Sequence, residues 1–203
     1  MGGSRRVAND PLRKQRILDA ALVVIGSQGV SRTTHRRIAT EAGVPLGSLT
    51  YHFDSLDAIL EQAFQHLAES MSARYRKALD AAPDRAAACD AVTDLICGDE
   101  YATPGELAVI YEMYSYAGHN AVVAEVARQW LAWSHTSLAL HFPERASRAI
   151  DALIEGWTIQ QAFEGRLDRE LVRDTITVIA SRIASRDGCA SAASTVNDRA
   201  ACG

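Results

Sequence analysis

The chain has 203 residues, of which 48% are apolar and 23% are charged, a composition typical of a compact globular protein. No apolar run approaches the ~18 to 20 residues that a membrane-spanning helix needs. The four cysteines are too few and too scattered for a disulfide framework. These features exclude the membrane and disulfide-rich secreted classes, and we expect a cytoplasmic protein with reduced thiols.

The net charge of −4 conceals an asymmetry between the two parts of the chain. Residues 1–53 contain eight Lys or Arg and three acidic residues, a local charge of +5, so that the remaining residues carry −9. A basic segment joined to an acidic one favours contact of the first quarter with a polyanion, because a polyanion repels the acidic remainder. The same charges would also solvate an ordinary protein surface, so charge alone does not distinguish these two interpretations and the motif inside the segment is needed.

The predicted elements are helices throughout, and the first begins near residue 11. Asp10-Pro11 indicates an N-cap followed by proline at the first helical position. An apolar stripe of helical period runs from Ile17 to Ile25, and Gly29 can supply the left-handed conformation that ends a helix. The pattern therefore predicts an amphipathic first helix between these two signals.

Two shorter helices follow the first. Thr33 and Thr34 offer hydroxyl caps for a second helix of about nine residues. The segment Leu46–Phe53 predicts a third helix of two turns, in which Leu49 and Phe53 point inward and the residues between them face outward.

The rest of the chain predicts a larger helical region. A long helix begins at Asp54-Ser55 and meets no helix-breaking residue before Pro83. Further helices are predicted near 84–98, 105–117, 121–141, 144–164 and 168–186, separated by turn-forming clusters. Residues 187–203 lack periodicity and predict a disordered tail. We predict an all-α fold with an N-terminal three-helix domain over 1–53 and a larger C-terminal helical domain over 54–186.

The second and third helices have the separation of a helix-turn-helix. They are joined through Gly43-Val44-Pro45, a short turn of the kind that sets two helices at a steep angle. The later helix of such a motif enters the major groove of DNA, where Ser48, Thr50, Tyr51 and His52 can donate to phosphates or base edges.

Two arginines support the same interpretation. Arg36 and Arg37 lie near the start of the second helix, where they can reach phosphates or a guanine through the guanidinium fork. The alternative is that two short amphipathic helices form an ordinary small bundle with a solvated basic surface.

Five short blocks then make the sequence resemble a known family. They are Ile17–Ala21, Gly29-Val30, Thr34–Ala39, Glu41–Val44 and Gly47–Phe53. In this order and with these gaps they resemble the TetR family of repressors, over about residues 11–60. The resemblance implies an N-terminal three-helix domain that binds DNA and a larger helical domain that binds a small ligand. It also implies a homodimer that leaves its operator when the ligand binds.

The resemblance assigns roles to positions of this sequence. It implies that Thr34 caps the second helix and touches a phosphate, and that Arg36 contacts a base or a phosphate. Leu46 to Ser48 would open the recognition helix, and its last turn would contact the backbone and base edges. The complete set of expected DNA contacts is Thr34, Arg36, Arg37, Leu46, Gly47, Ser48, Thr50, Tyr51 and His52.

Three positions depart from the family pattern. Thr50 stands where the family usually has an aromatic residue, Pro45 replaces the usual hydroxyl cap, and Leu56 occupies a slot that commonly holds a phosphate-binding lysine. These departures lower the expected number of phosphate contacts without removing the motif.

The ligand is expected to be a small apolar or aromatic molecule. Aromatic residues interleaved with Ser and Met make a mostly apolar cavity with a few hydrogen-bonding groups, on the segments that usually line the pocket in the family. The candidate ligand-binding residues are Cys97, Tyr111, Met113, Tyr114, Trp130, Trp133, Ser134 and Ser137. The alternative is that this aromatic stripe is part of the hydrophobic core.

The last two predicted helices have apolar faces that are broader than one core contact requires. The resemblance implies that they form a four-helix bundle with a second copy, and two recognition helices ~34 Å apart would read a palindrome. The candidate interface residues are Ala149, Leu153, Gly156, Trp157, Thr175, Ile176, Ile179 and Ile183. The alternative is that both helices are the innermost helices of a monomer.

Other function classes receive little support. No arrangement of nucleophile, base and orienting group appears, so we expect no enzyme, no catalytic residue and no cofactor. His119, His135 and His141 lack the i, i+4 spacing that sets two imidazoles on one face, so no metal site is expected. Two alternatives stay open: a small-molecule-binding protein or enzyme whose basic segment is incidental, and a DNA-binding protein without a ligand.

Overall fold

The computed structural model describes residues 12–98 and 102–182, and within these ranges the chain forms helices and no strand. The all-α prediction is confirmed. Several features named above lie outside the described residues: the predicted N-cap Asp10, the interface candidate Ile183, the cysteines Cys189 and Cys202, and the predicted tail at 187–203.

Three helices open the described chain: α1 (Arg13–Gln28), α2 (His35–Glu41) and α3 (Leu46–His52). Gly29 ends α1 as predicted, with φ 79° and its N–H donating to the Ile25 carbonyl at 2.8 Å. A 3₁₀ turn over Val30–Arg32, which the sequence pattern did not predict, then leads to α2.

Six helices complete the described residues. They are α4 (Leu56–Asp80), α5 (Arg85–Cys97), α6 (Pro104–Ala117), α7 (Ala121–Leu138), α8 (Glu144–Glu164) and α9 over residues 169–182. Side-chain oxygens cap the start of four of them. Ser55 accepts from the Ala58 N–H at 3.0 Å and Asp84 from the Ala87 N–H at 2.9 Å, while Asn120 accepts from the Val123 N–H at 3.0 Å and Asp168 from the Leu171 N–H at 3.2 Å.

One boundary differs from the prediction by three residues. The pattern predicts a helix to residue 141, but α7 ends at Leu138 and the chain tightens into a turn before Pro143. The N–H groups of Ala139 and Phe142 close this turn on the carbonyls of His135 and Leu138, at 2.9 and 3.0 Å. A proline disfavours helical geometry in the residue before it, which explains the early end.

The chain packs as two compact units. The first contains residues 12–68 and 105–127, and its N-terminal core joins α1, α2, α3 and the start of α4. Ile17, Ile38, Leu49, Ile59 and Ala63 are fully buried in this core.

The second unit contains residues 69–98, 102–104 and 128–182. Its core joins the second half of α4 with α5, α8, α9 and the end of α7, and includes Leu79, Val92, Leu138 and Ile150. Packing therefore assigns residues 54–68 and 105–127 to the first unit. The functional boundary between residues 53 and 54 stays a prediction.

Two further features bear on the class of the protein. No helix within the described ranges is long and apolar enough to cross a bilayer. Cys89 and Cys97 are free thiols, and burial raises the pKa of both above the usual 9.0.

Candidate nucleic-acid interface and ligand cavity

The outward face of α3 is fixed by the residues that the helix buries. Leu49 is fully buried and Phe53 is 4% exposed, both in the core with Ile38 and Ala39 of α2. This confirms the predicted inward positions. Because these anchors occupy one side of a two-turn helix, the residues between them must face outward.

The predicted contacts on α3 lie on this outward face. Tyr51 is 77% exposed and Leu46 is 49% exposed. Gly47 and Thr50 are exposed, while Ser48 and His52 are half-buried. Pro45, at the N-cap, makes no side-chain cap to the helix, as its lack of a hydroxyl requires.

Two local contacts restrain side chains on the outward face of α3. The rings of Tyr51 and His52 meet edge to face, with centroids 4.9 Å apart. The Thr50 hydroxyl donates to the Gly47 carbonyl at 3.2 Å. A restrained aromatic side chain loses less entropy when it meets a surface, so Tyr51 is well prepared for a contact.

The start of α2 presents two arginines of different character. Thr34 caps the helix by accepting from the Arg37 N–H at 3.3 Å. Arg37 donates to the Arg32 carbonyl at 2.6 Å, which fixes its guanidinium beside the 3₁₀ turn. The exposed Arg36 guanidinium makes no hydrogen bond to the described part of the chain, so it is available to an external anion.

Positive charge dominates the described residues of this segment. Residues 12–53 contain six Lys or Arg against Asp19 and Glu41. Lys14 also lies over the Phe53 ring, at 5.6 Å from its centroid, which ties a basic side chain of α1 to the end of α3. A helix with an exposed polar face in a basic surrounding is suited to a groove of duplex DNA.

A cavity of about 260 Å³ lies in the second unit, between α4 and α7. Of the predicted ligand residues, Trp133 and Ser137 line this cavity. Its walls are Glu69, Ser72, Ala73 and Arg76 from α4 with Trp133, Thr136 and Ser137 from α7. The cavity therefore offers one aromatic surface together with several hydroxyl and charged groups.

Two other predicted ligand residues tie α7 to α8. The Ser134 hydroxyl donates to the buried Asp151 carboxylate, and the Trp130 indole N–H donates to Glu155 at 3.3 Å. His135 Nε2 lies 3.0 Å from the second oxygen of Asp151. Burial raises the pKa of Asp151 above its usual 3.8, while Ser134 and His135 act in the opposite direction.

The remaining predicted ligand residues lie elsewhere. Cys97 packs against the core of the second unit at the end of α5. Tyr111, Met113 and Tyr114 belong to α6 in the first unit, where Met113 is 1% exposed and the two tyrosines are half-buried. Two of the eight candidates, Trp133 and Ser137, therefore line the α4–α7 cavity.

The comparisons with known proteins place this geometry in a family. The model of the tetR family of bacterial regulatory proteins matches residues 17–63. A solved structure from Streptomyces coelicolor A3, a member of the TetR family (SCO1917), is 30% identical with a TM-score of 0.68, covering 83% of this chain and 98% of that one. The chain belongs to the TetR family.

Two further relatives describe what TetR-family neighbours do. The multidrug binding protein EbrR, solved in complex with ethidium, is 29% identical with a TM-score of 0.68, covering 83% of this chain and 98% of that one. The HTH-type transcriptional repressor KstR2 of Rhodococcus jostii is 30% identical over 80 residues, which are 39% of each chain. The chain therefore belongs to a family of transcriptional regulators, and it spans well under half the length of this curated relative.

The predicted dimer residues of this TetR-family chain lie on α8 and α9, with varied exposure. Ile176 is fully buried in the core of its own protomer, and Trp157 and Ile179 pack against that core. Gly156 is exposed. Ala149, Leu153 and Thr175 are half-buried.

The structure exposes four apolar residues of α8 and α9 that are not among the candidate interface residues. Phe163 is 85% exposed and Ile159 47% on α8, and Leu171 is 59% and Val178 52% exposed on α9. We call these four residues the outer apolar face. Their helical spacing was visible in the sequence, but the sequence alone does not show which side of an apolar helix the protomer leaves uncovered.

Asp151 and Glu155 were also missed as partners of α7. The available signal was an acid at position 151 within the apolar stripe of α8, beside Ile150 and Ile154. All three tryptophans of the TetR-family chain, Trp130, Trp133 and Trp157, lie on α7 and α8.

Proposed function

We propose that this protein is a ligand-responsive repressor in the cytoplasm. It binds a palindromic DNA operator as a homodimer, through α3 and the start of α2. A small apolar or aromatic molecule binds beside Trp133 and releases the protein from DNA. The observation that carries this proposal is the outward face of α3, held in a basic segment by two buried anchors.

The DNA-binding part is supported by the fact that different residues hold the helices and face outward. Leu49 and Phe53 hold α3, Thr34 caps α2, and neither task uses the exposed Tyr51 ring or the Arg36 guanidinium. Exposed polar and aromatic groups that the fold does not need are the groups that remain for phosphates and base edges.

The ligand part is supported by the cavity beside Trp133 and by a relative. EbrR is a multidrug binding protein solved with ethidium, which is an aromatic compound. The cavity of this chain offers an indole ring, hydroxyl groups and charges of both signs, from Glu69 and Arg76. Its volume of about 260 Å³ lies just below the ~300 to 1,000 Å³ typical of ligand pockets, which favours a ligand of small size.

The homodimer is supported by the outer apolar face. Four large apolar side chains on α8 and α9 are between 47% and 85% exposed, which is costly in water and favourable in an interface. A twofold dimer would carry two copies of α3, and two recognition helices ~34 Å apart read two half-sites on one side of a duplex.

The decisive experiment measures binding to a duplex that the full chain selects from a random-sequence DNA pool. We expect Tyr51→Ala and Arg36→Ala each to weaken binding by about 1 to 3 kcal/mol, the size of a good base contact. Tyr51→Phe keeps the ring and separates its contribution from that of the hydroxyl. Val122→Ala is the matched control, because Val122 is a 53% exposed apolar residue of the same unit on α7.

Two outcomes would contradict the proposal. Selection of no duplex by the parent chain would remove the DNA-binding function. Equal affinity of the parent, Tyr51→Ala and Arg36→Ala would show that another surface binds DNA.

A further inference from the structure

We propose that Glu112 of α6 is a positioning residue for DNA reading, an inference that rests on the proposed function. Its carboxylate holds the turn that connects α1 to α2, and thereby the orientation of the two helices of the helix-turn-helix. Glu112 lies 82 positions from that turn in the sequence, and none of the predicted contacts includes it.

The primary observation is a hydrogen bond between distant parts of the first unit. The backbone N–H of Val30 donates to Glu112 Oε2 at 2.9 Å. Val30 is the first residue of the 3₁₀ turn, where a backbone N–H has no partner inside the turn. A half-buried carboxylate satisfies this donor with a charge-assisted bond, which is stronger than a neutral one.

Gly29 makes room for the same carboxylate. A Cβ at this position would lie 2.9 Å from Glu112 Oε1, so that the carboxylate would have to shift, and the backbone has φ 79°, which favours glycine. The missing side chain therefore serves two purposes: it ends α1 and it admits the Glu112 carboxylate to the turn.

A second close approach brings α6 against α1. A Cβ at Gly26 would lie 2.9 Å from the Gly105 carbonyl oxygen and 3.3 Å from Val109. Two glycines of α1 and its cap thus accommodate two parts of α6. This contact makes α6 a fixed support for the end of α1.

The far end of α6 is bonded to α4. The Tyr116 hydroxyl donates to Asp57 at 2.9 Å, and the Asn120 side-chain amide, just after α6, donates to Glu61 at 2.9 Å. The first turns of α4 belong to the same core as α3. The α6 segment is therefore attached to the elements on both sides of the helix-turn-helix.

The turn held by Glu112 leads directly to the DNA-contacting part of α2. Thr33 is 3% exposed, and its hydroxyl donates a hydrogen bond to the Gly29 carbonyl at 2.9 Å. Thr34 follows and caps the helix that carries Arg36. If the bond to Val30 is lost, the turn gains freedom and α2 loses its fixed start.

Charge alone predicts that the loss of Glu112 strengthens DNA binding, whereas the positioning role predicts that it weakens DNA binding. The two explanations can therefore be told apart by experiment. Removing a negative charge from a DNA-binding unit strengthens binding to phosphates if charge alone matters. If Glu112 positions the turn, its removal weakens binding. Glu112→Gln and Glu112→Ala lose the same charge, but the glutamine keeps an oxygen that can accept from the Val30 N–H.

The experiment compares these two variants of the full chain with the parent. The probe is a duplex selected by the parent from a random-sequence pool, at one fixed salt concentration. We expect Glu112→Ala to bind about tenfold more weakly and Glu112→Gln to bind within about twofold of the parent. Hydrogen exchange of the Val30 amide should be faster in Glu112→Ala than in the other two proteins, and thermal unfolding checks that all three are folded.

The outcomes separate this inference from the proposed function. A parent chain that selects no duplex overturns the proposed function. If the parent selects a duplex and both variants bind it as tightly as the parent does, only the role of Glu112 is overturned. An unchanged exchange rate of the Val30 amide in Glu112→Ala has the same consequence.

Discussion

Asp151 shows how a single side chain can set the pH response of a helical bundle. The residue is 5% exposed on the inner side of α8, and its carboxylate meets the hydroxyl of Ser134 and the imidazole of His135 on α7. Burial disfavours the charged carboxylate and raises its pKa above 3.8. The fold therefore favours the protonated acid more than the unfolded chain does.

This difference predicts a stability profile with a definite sign. The contribution of Asp151 to the free energy of unfolding is fully present below pH 3.8 and is lost as the pH rises through the raised pKa of the folded state. Urea unfolding gives the free energy of unfolding of the parent and of Asp151→Asn. The parent's value minus that of the variant should fall as the pH rises through this window and stay constant above it. Ser134→Ala removes a group that lowers the pKa, so it should extend the fall to higher pH.

A difference between the parent and Asp151→Asn that grows with pH would contradict the assignment. Such a result would mean that the ion pair with His135 outweighs the burial of the carboxylate.

Some residue roles follow from the sequence, and others require the fold. Tyr51 is predictable as an outward residue because Leu49 and Phe53 mark the inner side of a two-turn helix. Glu112 and Asp151 are not predictable as partners, because the groups they meet lie on other helices. Sequence spacing carries the period of one helix but not the register between two.

The helices are well predicted because their boundary signals are local. Thr34 caps α2, and Gly29 and Gly165, with φ 79° and 91°, end α1 and α8 where the pattern places them. The 3₁₀ turn after Gly29 has no such signal, since it depends on hydrogen bonds that Glu112 and Thr33 supply. Local chemistry thus defines the elements, and packing defines the connections.

The outer apolar face of α8 and α9 yields a prediction about assembly. We expect Phe163→Glu to dissociate the proposed homodimer, because each copy would place a charge where a ring 85% exposed in the protomer is buried between copies. Each of the two copies would lose about 1.5 kcal/mol or more of dimerisation free energy, which together weakens dimerisation by at least about a hundredfold. Sedimentation velocity at several concentrations measures this change.

Leu140→Glu provides the matched control for that experiment. Leu140 is 41% exposed, and it lies in the turn after α7 rather than on α8 or α9. Equal sedimentation of the parent, Phe163→Glu and Leu140→Glu would place the dimer contact elsewhere.

At the scale of the whole chain, charge is distributed unevenly between the first quarter and the remainder. The first 53 residues carry +5 and the remainder −9, so a polyanion is attracted to one part only. The charge asymmetry is fully visible in the sequence. The division into two packed units is not, because α4 and α7 each run without interruption through a boundary that only tertiary contacts define.

Binding of a compound and of DNA should be coupled in the whole molecule. An aromatic compound that raises the melting temperature of the parent in a thermal-shift screen should weaken operator binding, and the operator should weaken binding of the compound by the same factor. Trp133→Ala should lose the thermal shift, whereas Trp133→Phe should keep part of it. A compound that stabilises Trp133→Ala as strongly as the parent would show that it binds away from this cavity.

The position of the three tryptophans has a practical consequence for such measurements. All of them lie between residues 130 and 157, so the indole emission of the protein originates in the second unit alone. Trp130 is 6% exposed, whereas Trp133 borders the cavity. Quenching or a spectral shift on titration with a compound would therefore report binding in the second unit without a label, and its loss in Trp133→Phe would assign the signal to the cavity.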